Sequence, residues 1–255
     1  MPNTLELIPL GNFPLVEPGQ NVSEIIRASL EENGLLLVEG DVLVIAQKII
    51  SKAEGRYVRL CDVVPGPEAI SLAQRCEKDP RQMELVLQES REIVKVRPGV
   101  VIVEHRNGYV HANAGIDKSN IPNSVNSPTV LLLPRDPDAS ASALMESLSH
   151  GSGVAPKIII NDSFGRAWRN GTVGVAIGTA GFLPLFNQVG EKDLYGNTLE
   201  VTESAVADEL AAAASLVMGQ AAEACPVVLA RGANLQRAST GSGALIRSKA
   251  KDMFR

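Results

Sequence analysis

Little in this chain of 255 residues suits a disulfide framework, a zinc centre or a nucleic-acid surface. Its three cysteines, Cys61, Cys76 and Cys225, are odd in number and form no Cys-x-x-Cys pair, which reads as reduced thiols in a cytoplasmic protein. Its three histidines, His105, His111 and His150, lack the spacing of a zinc motif. Any bound metal is therefore expected to be Mg²⁺ or Mn²⁺ on oxygen ligands. Lys and Arg number 24 against 29 Asp and Glu, for a formal net charge of −5 with no long basic run. Phosphate-backbone binding needs clustered basic residues, so nucleic acid is not an expected partner. No apolar stretch approaches the roughly 20 residues of a membrane span. The first ten residues, MPNTLELIPL, lack the basic and long apolar regions of a signal peptide. Neither a Walker loop nor a Rossmann Gly-x-Gly-x-x-Gly is present, and there is no Gly-x-Ser-x-Gly elbow. A bound nucleotide must be held in some other way.

What is present is a large apolar complement, 45% of residues. That is enough for one domain, residues 1–255, or for two interleaved lobes. Strands are expected at Leu5–Leu10, Asp41–Ile45, Val94–Val96, Val100–Val103, Tyr109–His111, Val130–Leu133 and Lys157–Ile160. Pro226–Ala230 is another, its leading proline marking an edge strand or a strand start. Helices are expected at Ser23–Glu32 with Ser23 as cap, Pro67–Cys76, Arg81–Glu89, Ala139–Leu148, and Glu203–Met218 with Thr202 as cap. Ser147–Gly153 and Ser239–Gly243 are the loosest segments. Helices mixed with hairpin-like strand pairs predict a mixed α/β (α+β) fold with mixed sheets rather than a regular βαβ winding.

Residues 157–181, KIIINDSFGRAWRNGTVGVAIGTAG, carry the strongest chemical signal. An apolar strand ends in Asn161-Asp162-Ser163, expected at a strand tip. Arg166, the only tryptophan (Trp168), Arg169 and several glycines follow, in what reads as a turn-rich loop. Oxygen ligands suit hard cations, guanidinium suits phosphate, and glycine lets backbone N–H groups approach. A second cluster, HANAGIDKSN at 111–120, places Asp117 and Asn120 in a short polar loop. Asp117 and Asp162 could then share a divalent ion beside nucleotide phosphates, a recurrent device in phosphoryl transfer. Gln47-Lys48 and Lys52 leave a strand with two ammonium groups suited to phosphate. The small residues of Met218–Cys225 suit either a nucleotide base sliding against backbone or plain helix-on-sheet packing.

These runs, in this order, resemble the coenzyme F420-0:L-glutamate ligase family. The resemblance covers nearly the whole chain: DVLVIAQKIISKAEGR (41–56), EKDPRQMELVLQES (77–90), HANAGIDKSNI (111–121), NDSFGRAWRNGTVGVAIGTAG (161–181), AVADELAAAASLVMG (205–219) and LIRSKAKDMFR (245–255). It implies the free-standing form of the family and an α+β fold of F420 ligase type. The implied activity is GTP-dependent: the terminal carboxylate of F420-0 is activated as an acyl phosphate and forms an amide with L-glutamate, with further γ-linked glutamates an option. The resemblance also implies two Mg²⁺ or Mn²⁺ ions, K⁺ as a further cation, a homodimer, and metal ligation by Asp117, Asp162 and Ser163. GTP would contact Phe13, Pro14, Leu15, Val16, Gln47, Lys48, Lys52 and Asn120, together with Met218, Gly219, Gln220, Ala221, Ala222, Glu223, Ala224 and Cys225. Arg166 and Arg169 would be available for substrate phosphate or carboxylate. Two departures stand out. Asn187-Gln188-Val189-Gly190 replaces a DxRG run, and Asn161 replaces a more usual serine. The first keeps open, as an alternative, a related nucleotide-dependent amide ligase acting on a different carboxylic acid.

Overall fold

The computed structural model of the protein describes residues 4–122 and 127–253. The first three residues of the N-terminal segment and the last two of LIRSKAKDMFR lie outside the described residues. In chain order the strands and helices are β1 (Glu6–Pro9), α1 (Val22–Glu32), β2 (Val42–Ala46), α2 (Gln47–Ala53), β3 (Tyr57–Arg59), α3 (Pro67–Cys76), α4 (Pro80–Gln88), β4 (Ser90–Arg97), β5 (Val100–His105), β6 (Val110–Ala112), β7 (Thr129–Leu131), α5 (Pro137–Ser152), β8 (Lys157–Arg166), β9 (Arg169–Ala180), β10 (Phe186–Asn187), β11 (Glu203–Ser204), α6 (Val206–Met218) and β12 (Val227–Arg231). The fold is mixed α/β. Its main sheet has the order β1-β12-β2-β8-β9, with β2 and β8 parallel and the other neighbours antiparallel.

Both faces of this sheet are buried, which is why its central strands read as unbroken apolar runs rather than alternating ones. Leu43, Ile45, Ile158 and Ile160 join one core with Ile26 of α1 and Leu148 of α5. Val42, Val44, Ile159 and Val228 join another with Ala207, Ala211 and Ala214 of α6. The small residues of α6 let it lie close. A Cβ on Gly174 of β9 would overlap the Ala211 carbonyl oxygen and Ser215 Oγ.

A further core forms within residues 57–133, where Leu72 of α3, Met83 and Val86 of α4, Val101 and Val103 of β5 and Val130 of β7 pack together. A buried ionic hub borders it at Arg56, just beyond α2. Arg56 donates to the Leu133 carbonyl at 2.8 Å and pairs with Glu89 at 2.9 Å, and Arg106 and His105 approach the same Glu89 oxygen at 3.0 and 3.5 Å.

Several local expectations are corrected. Asn21, not Ser23, caps α1, because its side chain accepts the Ser23 amide at 3.1 Å. Gln47–Ala53 is a helix, not a strand exit. Serine 147 through serine 152 continue α5, which Asp136 caps and Gly153 ends with φ 72°. Thr202 does not cap α6; Glu203 and Ser204 pair with Asn187 and Phe186, and the helix starts at Val206. β12 is interior, so Pro226 marks a strand start and not an edge. Above all, β8 does not end at Ile160. It continues through Arg166 and pairs with β9 in one long hairpin, so the expected turn-rich loop is an extended two-stranded arm.

The outer edge of β9 is closed by side chains. Asp208 accepts from Ala176 N at 2.9 Å and Asp138 from Thr179 N at 2.8 Å, while the Ile177 carbonyl accepts from Ser242 Oγ and the Tyr109 hydroxyl. Ser242 belongs to a C-terminal strap that runs back across the molecule. Beyond it Ile246 lies over Gly108, and Lys249 reaches Glu92 and Glu104 at 2.6 and 3.1 Å.

Candidate active-site cleft

The register Ala46↔Asn161 ends the parallel pair β2/β8. Ligands in α/β sheets commonly lie outside the carboxyl ends of parallel strands, and a cleft of about 960 Å³ opens there. Four segments wall it: Phe13–Pro18 before α1, the start of α2, residues 117–122, and the turn from α6 to β12. Asp162 and Ser163 enter from β8.

Asp117 is held by its backbone, which exchanges hydrogen bonds with Leu131 of β7 at 3.0 and 2.9 Å. One carboxylate oxygen, Oδ1, accepts from the amides of Lys118 and Ser119 at 2.6 and 2.7 Å. The other, Oδ2, accepts from Ser119 Oγ at 3.1 Å and Lys48 Nζ at 2.7 Å. Burial pushes this carboxyl up, but Lys48 and Ser119 outweigh it and hold it below its ordinary value. Asp162 is in the opposite state. Burial first, and then the Asp117 charge, push it up to about 6, against the Ser163 amide, Lys48 and Gln47. Lys48 and Ser119 thus favour the charged form of Asp117, while burial disfavours that of Asp162. Lys52 is disfavoured as an ammonium by burial and by the Lys48 charge.

The α6–β12 turn folds over the cleft through specific contacts. Gly219 takes φ 72° and ψ −177°, and a Cβ there would overlap the Glu223 side chain. Glu223 Oε2 accepts from Ala221 N at 2.7 Å. Asn120, itself at φ 54°, donates to the Ala221 carbonyl at 2.9 Å, and Gln220 donates to Ser163 Oγ at 3.1 Å. Both flanking segments are therefore tied across the cleft. Asn161, at the parallel strand end, donates to Ser215 Oγ at 3.0 Å and leaves its own Oδ1 buried without a partner.

The structure thus brings together Phe13–Val16, Gln47, Lys48, Lys52, Asp117, Asn120, Asp162, Ser163 and Met218–Cys225. It does not place Arg166 and Arg169 there. Both are exposed at the far end of the β8–β9 arm, where Arg166 donates to the Gly171 carbonyl at 3.4 Å. Tyr57, Thr129 and Pro122 also line the cleft and carry no motif that would have marked them, while Ile121 closes the 111–121 run. Glu17-Pro18 simply continue the Phe13–Val16 segment. A smaller cavity of about 240 Å³, beside Tyr109, Phe164, Asp208 and Ile246, contains none of the candidate residues.

Among the described residues no group of three His, Cys, Asp or Glu could hold a metal ion. Two carboxylates with a hydroxyl nevertheless fit Mg²⁺ or Mn²⁺, which are commonly bound by one or two carboxylates plus substrate phosphates.

An acid-and-lysine cleft at the carboxyl ends of parallel strands has the outline of an α/β enzyme. Its family is specific: residues 11–232 match the model of the F420-0:gamma-glutamyl ligases, and the chain belongs to that family. Among similar proteins is the coenzyme F420:L-glutamate ligase of Methanothermobacter thermautotrophicus, 46% identical over 98% of this chain and 99% of the relative. Proteins of the same name from Methanopyrus kandleri and Methanocaldococcus jannaschii are 44% and 42% identical, covering 99% and 95% of this chain and 98% and 94% of their own.

Proposed function

We propose that the chain is a GTP-dependent ligase that joins L-glutamate to coenzyme F420-0 through an amide. The observation that carries this reading is the convergence of Asp117, Asp162, Ser163, Lys48 and Lys52 on one cleft, in a chain whose relatives are named for glutamate ligation. Asp117, Asp162 and Ser163 would hold Mg²⁺ or Mn²⁺, which neutralises phosphate charge when bound. Lys48 and Lys52 bind the phosphates as point charges. Phe13–Val16 and the 218–225 turn take the rest of the nucleotide.

A carboxylate is a poor electrophile, and the proposed chemistry removes that obstacle in two displacements. An oxygen of the acid attacks the γ-phosphorus, the bridging P–O bond breaks, and GDP departs with its electron pair. The amine of glutamate then attacks the acyl carbon, loses its proton to base, and the C–O bond breaks to release phosphate. Arg166 and Arg169, outside the cleft, are assigned to anionic groups of the long acid substrate. A homodimer and a cytoplasmic setting, with K⁺ as an additional cation, complete the proposal.

The test is incubation with GTP, Mn²⁺, L-glutamate and F420-0 followed by mass analysis. The expected product is F420-0 plus one or more glutamyl residues, with stoichiometric GDP and phosphate. Without glutamate, hydroxylamine should trap a hydroxamate of the acid. GTP cleavage at the same rate without any acid would defeat the ligase reading.

A further inference from the structure

We infer that Lys48 is a built-in counter-cation of the cleft, which exchanges between Asp117 and nucleotide phosphate and so makes metal and nucleotide binding reinforce each other. The inference rests on the ligase reading above. Its basis is the arrangement of donors around Asp117. Oδ1 is already occupied by two backbone amides, at 2.6 and 2.7 Å. The remaining oxygen, Oδ2, faces Lys48 Nζ at 2.7 Å, and the same ammonium donates to Ser119 Oγ at 2.6 Å. A divalent ion that uses Oδ2 must take over the ammonium's place.

An evicted ammonium has few alternatives. The other lysine of the cleft is Lys52, and the two ammonium charges repel, so moving Lys48 toward it is unfavourable. Nor can the backbone carry Lys48 away. It sits in the first turn of α2, between Gln47 and Ile49, both buried, so only its side chain swings. Metal alone therefore strands Lys48, and nucleotide alone brings phosphates up to Asp117 and Asp162. Bound together they satisfy every charge: metal on the carboxylates, Lys48 on phosphate. Such a coupling acts equally on both ligands by linkage.

The experiment measures free Mn²⁺ by electron paramagnetic resonance during titration of the full-length chain, as wild type, K48M and K52M. Both variants remove one lysine from the same cleft, and of the two only Lys48 touches Asp117. Without nucleotide, K48M should bind Mn²⁺ about tenfold more tightly than wild type, and K52M should differ from wild type by less than about threefold. With GDP added, the enhancement of Mn²⁺ affinity should shrink in K48M by the factor already gained without it. K48R, which can still pair with Asp117, should restore weak metal binding in the absence of GDP. Equal tightening in K48M and K52M would overturn the exchange and leave the ligase reading intact. Failure of wild type to bind GDP in the presence of Mn²⁺ would bring down that reading and the exchange together. Urea midpoints of the variants separate these outcomes from misfolding.

Discussion

Glu89 is buried where Arg56, Arg106 and His105 meet. Burial alone would raise its carboxyl, but the His105 contact and the two guanidinium groups outweigh it, and the group is held below the ordinary 4.5. Its stabilising effect is therefore fully present above about pH 4.5 and is lost as pH falls through the lower folded value. Glu89→Gln leaves Arg56 buried without its counter-charge and should cost about 3–5 kcal/mol at pH 7. The gap between wild-type and variant urea midpoints should narrow in acid. Asp117→Asn and Asp162→Asn test a different property. Each removes a charged oxygen from the proposed metal site and should lower turnover about a hundredfold or more, read as kcat at saturating GTP and limiting Mn²⁺. The two aspartates were legible in the sequence because polar groups interrupt apolar runs in long, specific motifs. The opposed titration of the pair was not, since it depends on which carboxylate the fold sets against Lys48 and Ser119. Neither was the Lys48–Asp117 contact, whose partners lie 69 positions apart in the chain.

Glycine decides two features at the scale of single elements. In β9, Gly174 lets α6 approach the sheet, and Gly174→Ala should lower stability by about 1–3 kcal/mol because backbone, not a flexible tip, must give way. At the end of α6, Gly219 holds a backbone conformation that side-chain-bearing residues rarely adopt. Gly219→Ala should weaken GDP binding, measured calorimetrically, and also lower stability by about 1–3 kcal/mol, read from the urea midpoint, because both the backbone and the Glu223 side chain must shift. Long amphipathic helices and β-branched strands were readable along the chain. The 161–166 half of β8 was not: Asn, Asp, Ser and Gly favour turns locally, and strand pairing with β9 overrides that preference. Helix α2, only seven residues long, and three-residue β3 are too short for periodicity to reveal them.

For the whole molecule, the C-terminal strap links the edge of the main sheet to the 57–133 core. Lys249 pairs with exposed Glu92 but also with buried Glu104, where Arg91 approaches at 3.5 Å, so Lys249→Ala should cost about 1–3 kcal/mol. Removing residues 242–253 takes away Ser242, Leu245 and Ile246 together. That truncation should lower the urea midpoint and open β9 to limited proteolysis. The mixed α/β class was legible from composition and alternation of elements, but the order β1-β12-β2 was not, because no local pattern says that the last strand enters between the first two. That order imposes a timetable on biosynthesis. β1 and β2 leave the ribosome early, each with an unpaired flank, and wait for nearly the entire polypeptide before β12 arrives to zip them together. Nascent chains arrested before Val227 should be captured by holdase chaperones and cut readily by protease, and chains released after Arg231 should resist both.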